Sequence, residues 1–270
     1  MVEALQYGFM RNALLAGVLV SIACGIIGSF VVIKRIVFIS GGIAHAAYGG
    51  IGLGYYFKID PVIGAIVFSV LSALGMGVVQ RKTRQRADTI IGVMWAIGMA
   101  LGIVFIDLSA GYKADLMSYL FGSILAVPST DLLLMALLDG VIILLVVAFY
   151  KELLAISFDE TFATLENVPV DALNMMLLCL IAFTVVMLMR VVGLIMVIAM
   201  LTVPAAISGE WVKDLKWMMV LSIILGILFT VTGLWLSYFW NLTSGATIIL
   251  VSGAAYLLSL AVKPLLQRPE

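Results

Sequence analysis

Apolar residues recur in stretches of 18 or more from residue 12 to residue 262, broken only by short polar intervals. A helix needs about 20 apolar residues to cross the hydrocarbon core of a bilayer. The pattern therefore predicts spans over 12–33, 36–56, 61–79, 89–107, 131–149, 171–189, 191–208, 217–239 and 244–262. That makes nine spans, or eight if 191–208 is broken or shallow. The apolar piece 116–127 is too short to cross. With GYKAD nearby on one side and Pro128-Ser129-Thr130 on the other, it reads as a re-entrant or surface helix. The longest mostly polar interval is 151–170. The expected fold class is all-α: a polytopic helical membrane bundle forming one domain over 1–270, with 151–170 as a loop at one face.

Composition agrees. Hydrophobic residues are 64% of the chain and charged residues 11%, where a soluble domain carries about 25% charged residues. Net charge is zero, so no basic footprint for nucleic acid exists. With 34–35 and 80–88 placed in the cytoplasm, eleven basic residues fall inside (Lys34, Arg35, Arg81, Lys82, Arg84, Arg86, Lys151, Lys213, Lys216, Lys263, Arg268). Only Arg11, Lys58, Lys113 and Arg190 fall outside. This positive-inside bias predicts an outside N-terminus, a cytoplasmic C-terminus and a cytoplasmic 151–170. The start of the chain lacks the basic region and cleavage site of a secretory signal, so the first apolar stretch is expected to stay as a span. Cys24 and Cys179 lie in apolar segments and read as packing residues.

Three features carry candidate chemistry. The sole histidine, His45, stands about nine residues into its span, roughly 13 Å deep at 1.5 Å per residue. Ionisable groups at that depth are functional candidates, and neutral imidazole is a common metal ligand. Gly41, Gly49 and Gly52 share its helical face, either permitting close packing or leaving room for a pathway. Asp139 is the other deep charge. It could face a dimer axis, pair with another helix, remain protonated or serve transport. In the cytoplasmic loop, Leu154, Phe158, Phe162 and Leu165 form one apolar helical stripe with Asp159, Glu160 and Glu166 elsewhere. A single short amphipathic helix is expected, ending near Asn167, which suits either a partner's groove or the headgroup layer.

Three segments then resemble one family. GSFVVIKRIVFISGGIAHAAYGGIGLG, LLAISFDETFATLENVPV and DALNMMLLCLIAFTVVMLMRVVGLIMVIAMLTVPAAIS are similar, in order and spacing, to the membrane subunit of the ATP-binding-cassette importers for zinc, manganese or iron(II). The similarity runs over residues 10 to 262. Two positions depart from that family: Gly41 stands where many members have Asp one turn before the His, and Asn167 where they usually have Gly. The resemblance implies a fold like that of vitamin B12-type importers and a prokaryotic plasma-membrane location. It implies three kinds of partner: an ATPase subunit, a second permease copy and an extracytoplasmic metal-binding protein. Phe158, Asp159, Glu160, Phe162 and Ala163 would couple to the ATPase, and His45 would line the ion's path. No tightly bound cofactor is implied, only the transported metal and ATP on the partner. The chain has no G-x-x-x-x-G-K-[ST] phosphate loop, so it is expected to be non-catalytic. Rival readings are a self-sufficient secondary transporter or channel, a permease for a siderophore or cobalamin, and a non-transporting membrane scaffold.

Overall fold

The computed structural model describes residues 6–82, 87–109, 122, 124–191, 193–194 and 197–266. Eleven α-helices follow in order: α1 Gly8–Ile33, α2 Val37–Phe57, α3 Pro61–Lys82, α4 Ala87–Leu108, α5 Ser129–Ala148, α6 Tyr150–Phe158, α7 Glu160–Leu165, α8 Val170–Val191, α9 Val197–Trp211, α10 Leu215–Trp240 and α11 Ser244–Leu266. No strand occurs among the described residues. Of the expected helix over 116–127, only the single 3₁₀ turn Ile124–Ala126 lies inside them together with Gly122 and Val127. Lys113, Asp115, Arg84, Arg86 and Arg268 lie outside.

Among the described residues, eight helices are long and apolar enough to cross a membrane. The segment expected over 191–208 departs from that pattern. Its helix α9 has 15 residues, about 22 Å at 1.5 Å per residue, short of a ~30 Å core. Its N-terminal turn lies beside Gly41 of α2, at Ile198, and its Leu201 carbonyl abuts Gly28 of α1. The helix therefore falls short of the bundle's full depth. Gly193, with φ 78°, stands in the connection that leads to it, and Pro204 inside it leaves the Met200 carbonyl without a helical donor. Broken periodicity, invisible in hydropathy alone, explains the difference.

Two groups of helices make up the bundle. In one, α2 packs against α3 and α4, and α3 against α8; in the other, α1 packs against α9, α10 and α5, and α10 against α11. Helix α8 bridges the two through α1, α2 and α3. Small residues set both main seams. Along the antiparallel pair α1 and α10, Ser21 meets Gly226, Gly25 meets Ile223, and the Ser29 and Ser222 hydroxyls approach to 3.5 Å. At the α2–α3 crossing, Gly50 and Gly64 face each other backbone to backbone. Lipid offers no hydrophobic drive for helix association, so such close approach supplies the packing energy. Helices α4, α5 and α11 stand at the periphery, each with 22% of its span buried.

Tight helix ends keep the connections short. Arg35, Lys58, Asn167 and Asn241 all adopt left-handed backbone. After α1, the Arg35 N–H donates to Val32 O (3.1 Å) and the Ile36 N–H to Val31 O (3.0 Å), the paired bonds that close a helix end.

A Cβ at Gly50 would strike the Gly64 carbonyl and come within 2.7 Å of Phe68 Cβ, whereas one at Gly140 meets nothing within 4 Å. Gly50→Leu is expected to destabilise by at least the ~1–3 kcal/mol typical of overpacking, read as a lower thermal midpoint in detergent. Gly140→Ala is expected to stabilise by about 0.5–1 kcal/mol through helix propensity. Equal midpoints for the two variants would contradict the α2–α3 crossing.

Candidate functional site

Two places concentrate the chemistry: the centre of α2 and the polar end of the bundle.

His45 is the ninth residue of the 21-residue α2. Its Nδ1–H donates to the Gly41 carbonyl one turn back (2.9 Å). A carbonyl can only accept, so Nδ1 carries the proton in the neutral ring and Nε2 keeps a free lone pair. The ring stacks on the Trp95 indole of α4 with centroids 3.8 Å apart and planes 26° apart. Trp95 in turn donates its Nε1–H to Met99 Sδ at 3.2 Å. The imidazole is thus fixed in tautomer and orientation while remaining half-buried.

The glycines of this face are largely spoken for. A Cβ at Gly49 would lie 2.9 Å from both the Gly98 carbonyl and the Phe68 ring, and one at Gly52 would run into the Gly102 backbone. Gly49 and Gly52 are packing seams against α3 and α4, not an open lining. Gly41 faces the Ile198 side chain, which a Cβ would approach to 2.9 Å. The site offers one imidazole nitrogen and no carboxylate one turn before it. Among the described residues, no three His, Cys, Asp or Glu side chains converge as a metal cage.

Asp139 is not brought to His45. It lies on the buried stripe of α5 (Met135, Asp139, Ile142, Val146), which packs against α1, with Cys24 of α1 within its electrostatic reach. It is 3% exposed, and neither carboxyl oxygen has a hydrogen-bond partner among the described residues.

At the polar end, the expected single helix of 151–170 is two helices. Asp159 (φ −150°, ψ 101°) breaks the run and caps α7, its Oδ1 accepting from the Phe162 N–H at 2.9 Å. The α7 end closes at Asn167 (φ 58°): the Asn167 N–H donates to Thr164 O (3.1 Å) and the Val168 N–H to Ala163 O (3.0 Å). This elbow buries Ala163 and turns Phe158 (66% exposed), Phe162 (55%) and Leu165 (77%) outward, while Leu154 is half-buried. Glu160 points the other way. It accepts from Lys34 Nζ at 2.8 Å and Asn174 Nδ2 at 3.1 Å, and the same ammonium donates to the Ile156 carbonyl at 2.7 Å. Partial burial pushes the Glu160 carboxyl up, but its bonds with Lys34 and Asn174 outweigh that and hold it below the usual carboxylate value. Being depressed, it adds stability above the ordinary carboxylate range that is lost only as pH falls through its own pKa. Arg81 of α3 pairs with Asp171 of α8 beside it, and Lys216 of α10 lies 5.0 Å over the Tyr150 ring.

Lys34, Asn174 and Trp95 escape sequence reasoning as site residues. Lys34 is legible there only as part of a basic pair, and nothing in TIIGVMWAIG marks its indole.

With this geometry in place, comparison with known proteins decides the family. The sequence pattern of the ABC 3 transport family matches residues 6–263. The chain belongs to that family. It is 63% identical to a membrane protein of Synechocystis, over 97% of this chain and 94% of the relative. It is 35% identical to the manganese transport system membrane protein MntC of Listeria monocytogenes, over 96% of this chain and 92% of the relative. Among solved structures, a chain of PsaBC from Streptococcus pneumoniae, in complex with Fab, superposes with a TM-score of 0.87 at 34% identity, covering 96% of this chain and 93% of that one. Family and fold thus agree with the resemblance read from the three sequence segments.

An unpartnered buried carboxyl costs about 1–3 kcal/mol, and an apolar side chain of similar size removes that cost. Asp139→Leu is expected to raise the thermal midpoint of the detergent-solubilised chain. A fall of several degrees would reveal a partner for the carboxyl.

Proposed function

We propose that this chain is the membrane permease of an ATP-driven importer for a divalent transition metal. It would work as two copies on a separate ATPase, fed by an extracytoplasmic metal-binding protein. The observation that carries the reading is the elbow: three large apolar side chains stand exposed on a capped, rigid turn, in a chain of an ABC transport family with no phosphate loop of its own. The name of the Listeria relative makes manganese the first metal to test, with zinc and iron(II) in the same class.

The elbow end is cytoplasmic in this reading, because the basic residues gather there. The N-terminus is then outside and the C-terminus inside, in a prokaryotic plasma membrane. Phe158 and Phe162 seat in the ATPase, since aromatic anchors dominate such interfaces. ATP binding and hydrolysis on the partner move the elbow and rock the spans, opening the pathway to alternate sides. His45 lines that pathway and offers Nε2 to the passing ion. One imidazole binds weakly, as a transported ion requires: conduction needs a site that is entered and also left. A second copy supplies a second imidazole near the shared axis. Asp139, on the α1 side of the bundle, is assigned no ligand role.

The direct test is Mn²⁺ uptake into proteoliposomes holding this chain with its ATPase and binding protein. ATP-dependent uptake is expected; robust uptake by this chain alone on an ion gradient would instead establish a secondary transporter. Phe158→Ala should weaken ATPase association by about thirtyfold, the effect of losing an anchor worth ~2 kcal/mol, without changing the amount of permease in the membrane. Retained co-purification would make the elbow merely interfacial. His45→Ala and His45→Gln should both lower uptake per folded complex while ATPase assembly stays intact. Normal uptake in both would remove His45 from the pathway.

A further inference from the structure

The elbow is joined to the bundle by packing and by charge: Leu153, Ile156 and Ala163 are buried in the core, and Lys34 pairs with Glu160 beside them. Between it and the membrane helices lies a cavity of about 470 Å³, lined by Ile39 of α2, Met175 of α8 and other apolar residues, and by the polar groups Lys34, Arg81, Glu160 and Asn174. Across this open volume the Lys34 ammonium holds both sides of the elbow break: the Ile156 carbonyl of α6 and the Glu160 carboxylate at the start of α7. Glu160 also accepts from Asn174 of α8. The Lys34 side chain is 10% exposed and that of Glu160 54%. Lys34 sits in the closed turn at the end of α1, two residues before the N-cap of α2. A displacement of α7 therefore pulls on the root of the helix that carries His45.

We infer that Lys34 and Glu160 form the transmission link of this permease: a charged tether between the docking elbow and the α1–α2 turn, backed by Asn174 on α8. Glu160, half-exposed, is thereby bound to the bundle through Lys34 and Asn174 as a positioning residue. It is not an orienting contact for the docked partner, the role its place in the FDETFA segment suggests. The tether beside the cavity and the packing of Leu153, Ile156 and Ala163 on the core together make the elbow move with the bundle as a unit. The two cations of the cavity do not substitute for each other, because Arg81 is already paired with Asp171. The inference rests on the permease reading above.

The test separates docking from transmission in the assembled transporter, reconstituted with its ATPase and binding protein and probed with Mn²⁺. Lys34→Met and Glu160→Gln are expected to keep the ATPase bound and hydrolysing, because Phe158 and Phe162 are untouched. Mn²⁺ imported per ATP hydrolysed should fall about tenfold or more in Lys34→Met, the equivalent of one lost hydrogen bond to a charged group, and by a smaller factor in Glu160→Gln, whose amide oxygen still accepts from Lys34 but carries no charge. The exchanged pair Lys34→Glu with Glu160→Lys can re-form the ion pair but not the bond to the Ile156 carbonyl, because a carboxylate cannot donate, so partial recovery of that ratio is expected. If Lys34→Met fails to accumulate, Glu160→Gln carries the test, since its side chain is half-exposed and keeps its shape. An unchanged ratio in Glu160→Gln overturns the link, and so does loss of the ATPase from that variant, which would make Glu160 a docking contact. Wild-type transporter that imports no Mn²⁺ on ATP overturns the permease reading instead, and the link's role with it.

Discussion

Close backbone approach of α2 to its neighbours is the constraint on which this bundle rests. In hydrocarbon, apolar side chains gain little by leaving lipid, so two helices stay together only where their backbones come near enough for dense contact. Helix α2 achieves this on two sides, Gly50 against Gly64 of α3 and Gly49 and Gly52 against Gly98 and Gly102 of α4, while Gly41 receives the Ile198 side chain of α9. With so many positions lacking a side chain, α2 cannot rotate or slide without opening gaps that nothing fills. It moves, if it moves, with α3 and α4.

That rigidity gives a lone imidazole a fixed address. His45 is held by its own helix through Gly41 and by α4 through Trp95, so its free nitrogen is presented in one direction. At the other end of the same helix, the turn after α1 is fastened to the elbow through Lys34. The elbow is stiff in itself, capped at Asp159 and closed at Asn167. An exposed apolar surface, a charged tether and a rigid helix with an imidazole at its middle thus stand in series. Two different interactions join these parts: ion pairing at the polar end of the bundle and glycine packing within it.

Much of this was legible in the residues. Long apolar runs locate the eight full-length helices, and the order of basic pair, His-bearing glycine helix and FDETFA loop points to the family. Phe158 and Phe162 stand outward as their stripe implies. What hydropathy misses is whatever depends on backbone direction. The short α9 is as apolar as its neighbours, and only its glycine-led entry and Pro204 set it apart. Asp159 reads as a polar-face residue of one helix, yet it divides two helices by capping the second. Glu160 shares that polar face in sequence, but the break at Asp159 turns it inward to Lys34. The glycines around His45 admit two uses in sequence, and only the positions of α3 and α4 decide for packing at Gly49 and Gly52.

Mechanical continuity from elbow to pathway is the central claim, and a distance measurement reads it directly. Spin labels at Thr161 on α7 and Tyr56 near the far end of α2, both exposed, would report on the assembled transporter with and without trapped ATP, after the native Cys24 and Cys179 are replaced. The account predicts that ATP moves α7 and α2 together, so that this distance holds nearly constant while the distance from Thr161 to a label on peripheral α11 changes by several ångströms. Elbow motion that changes the Thr161–Tyr56 distance while α2 stays fixed relative to α11 would contradict it.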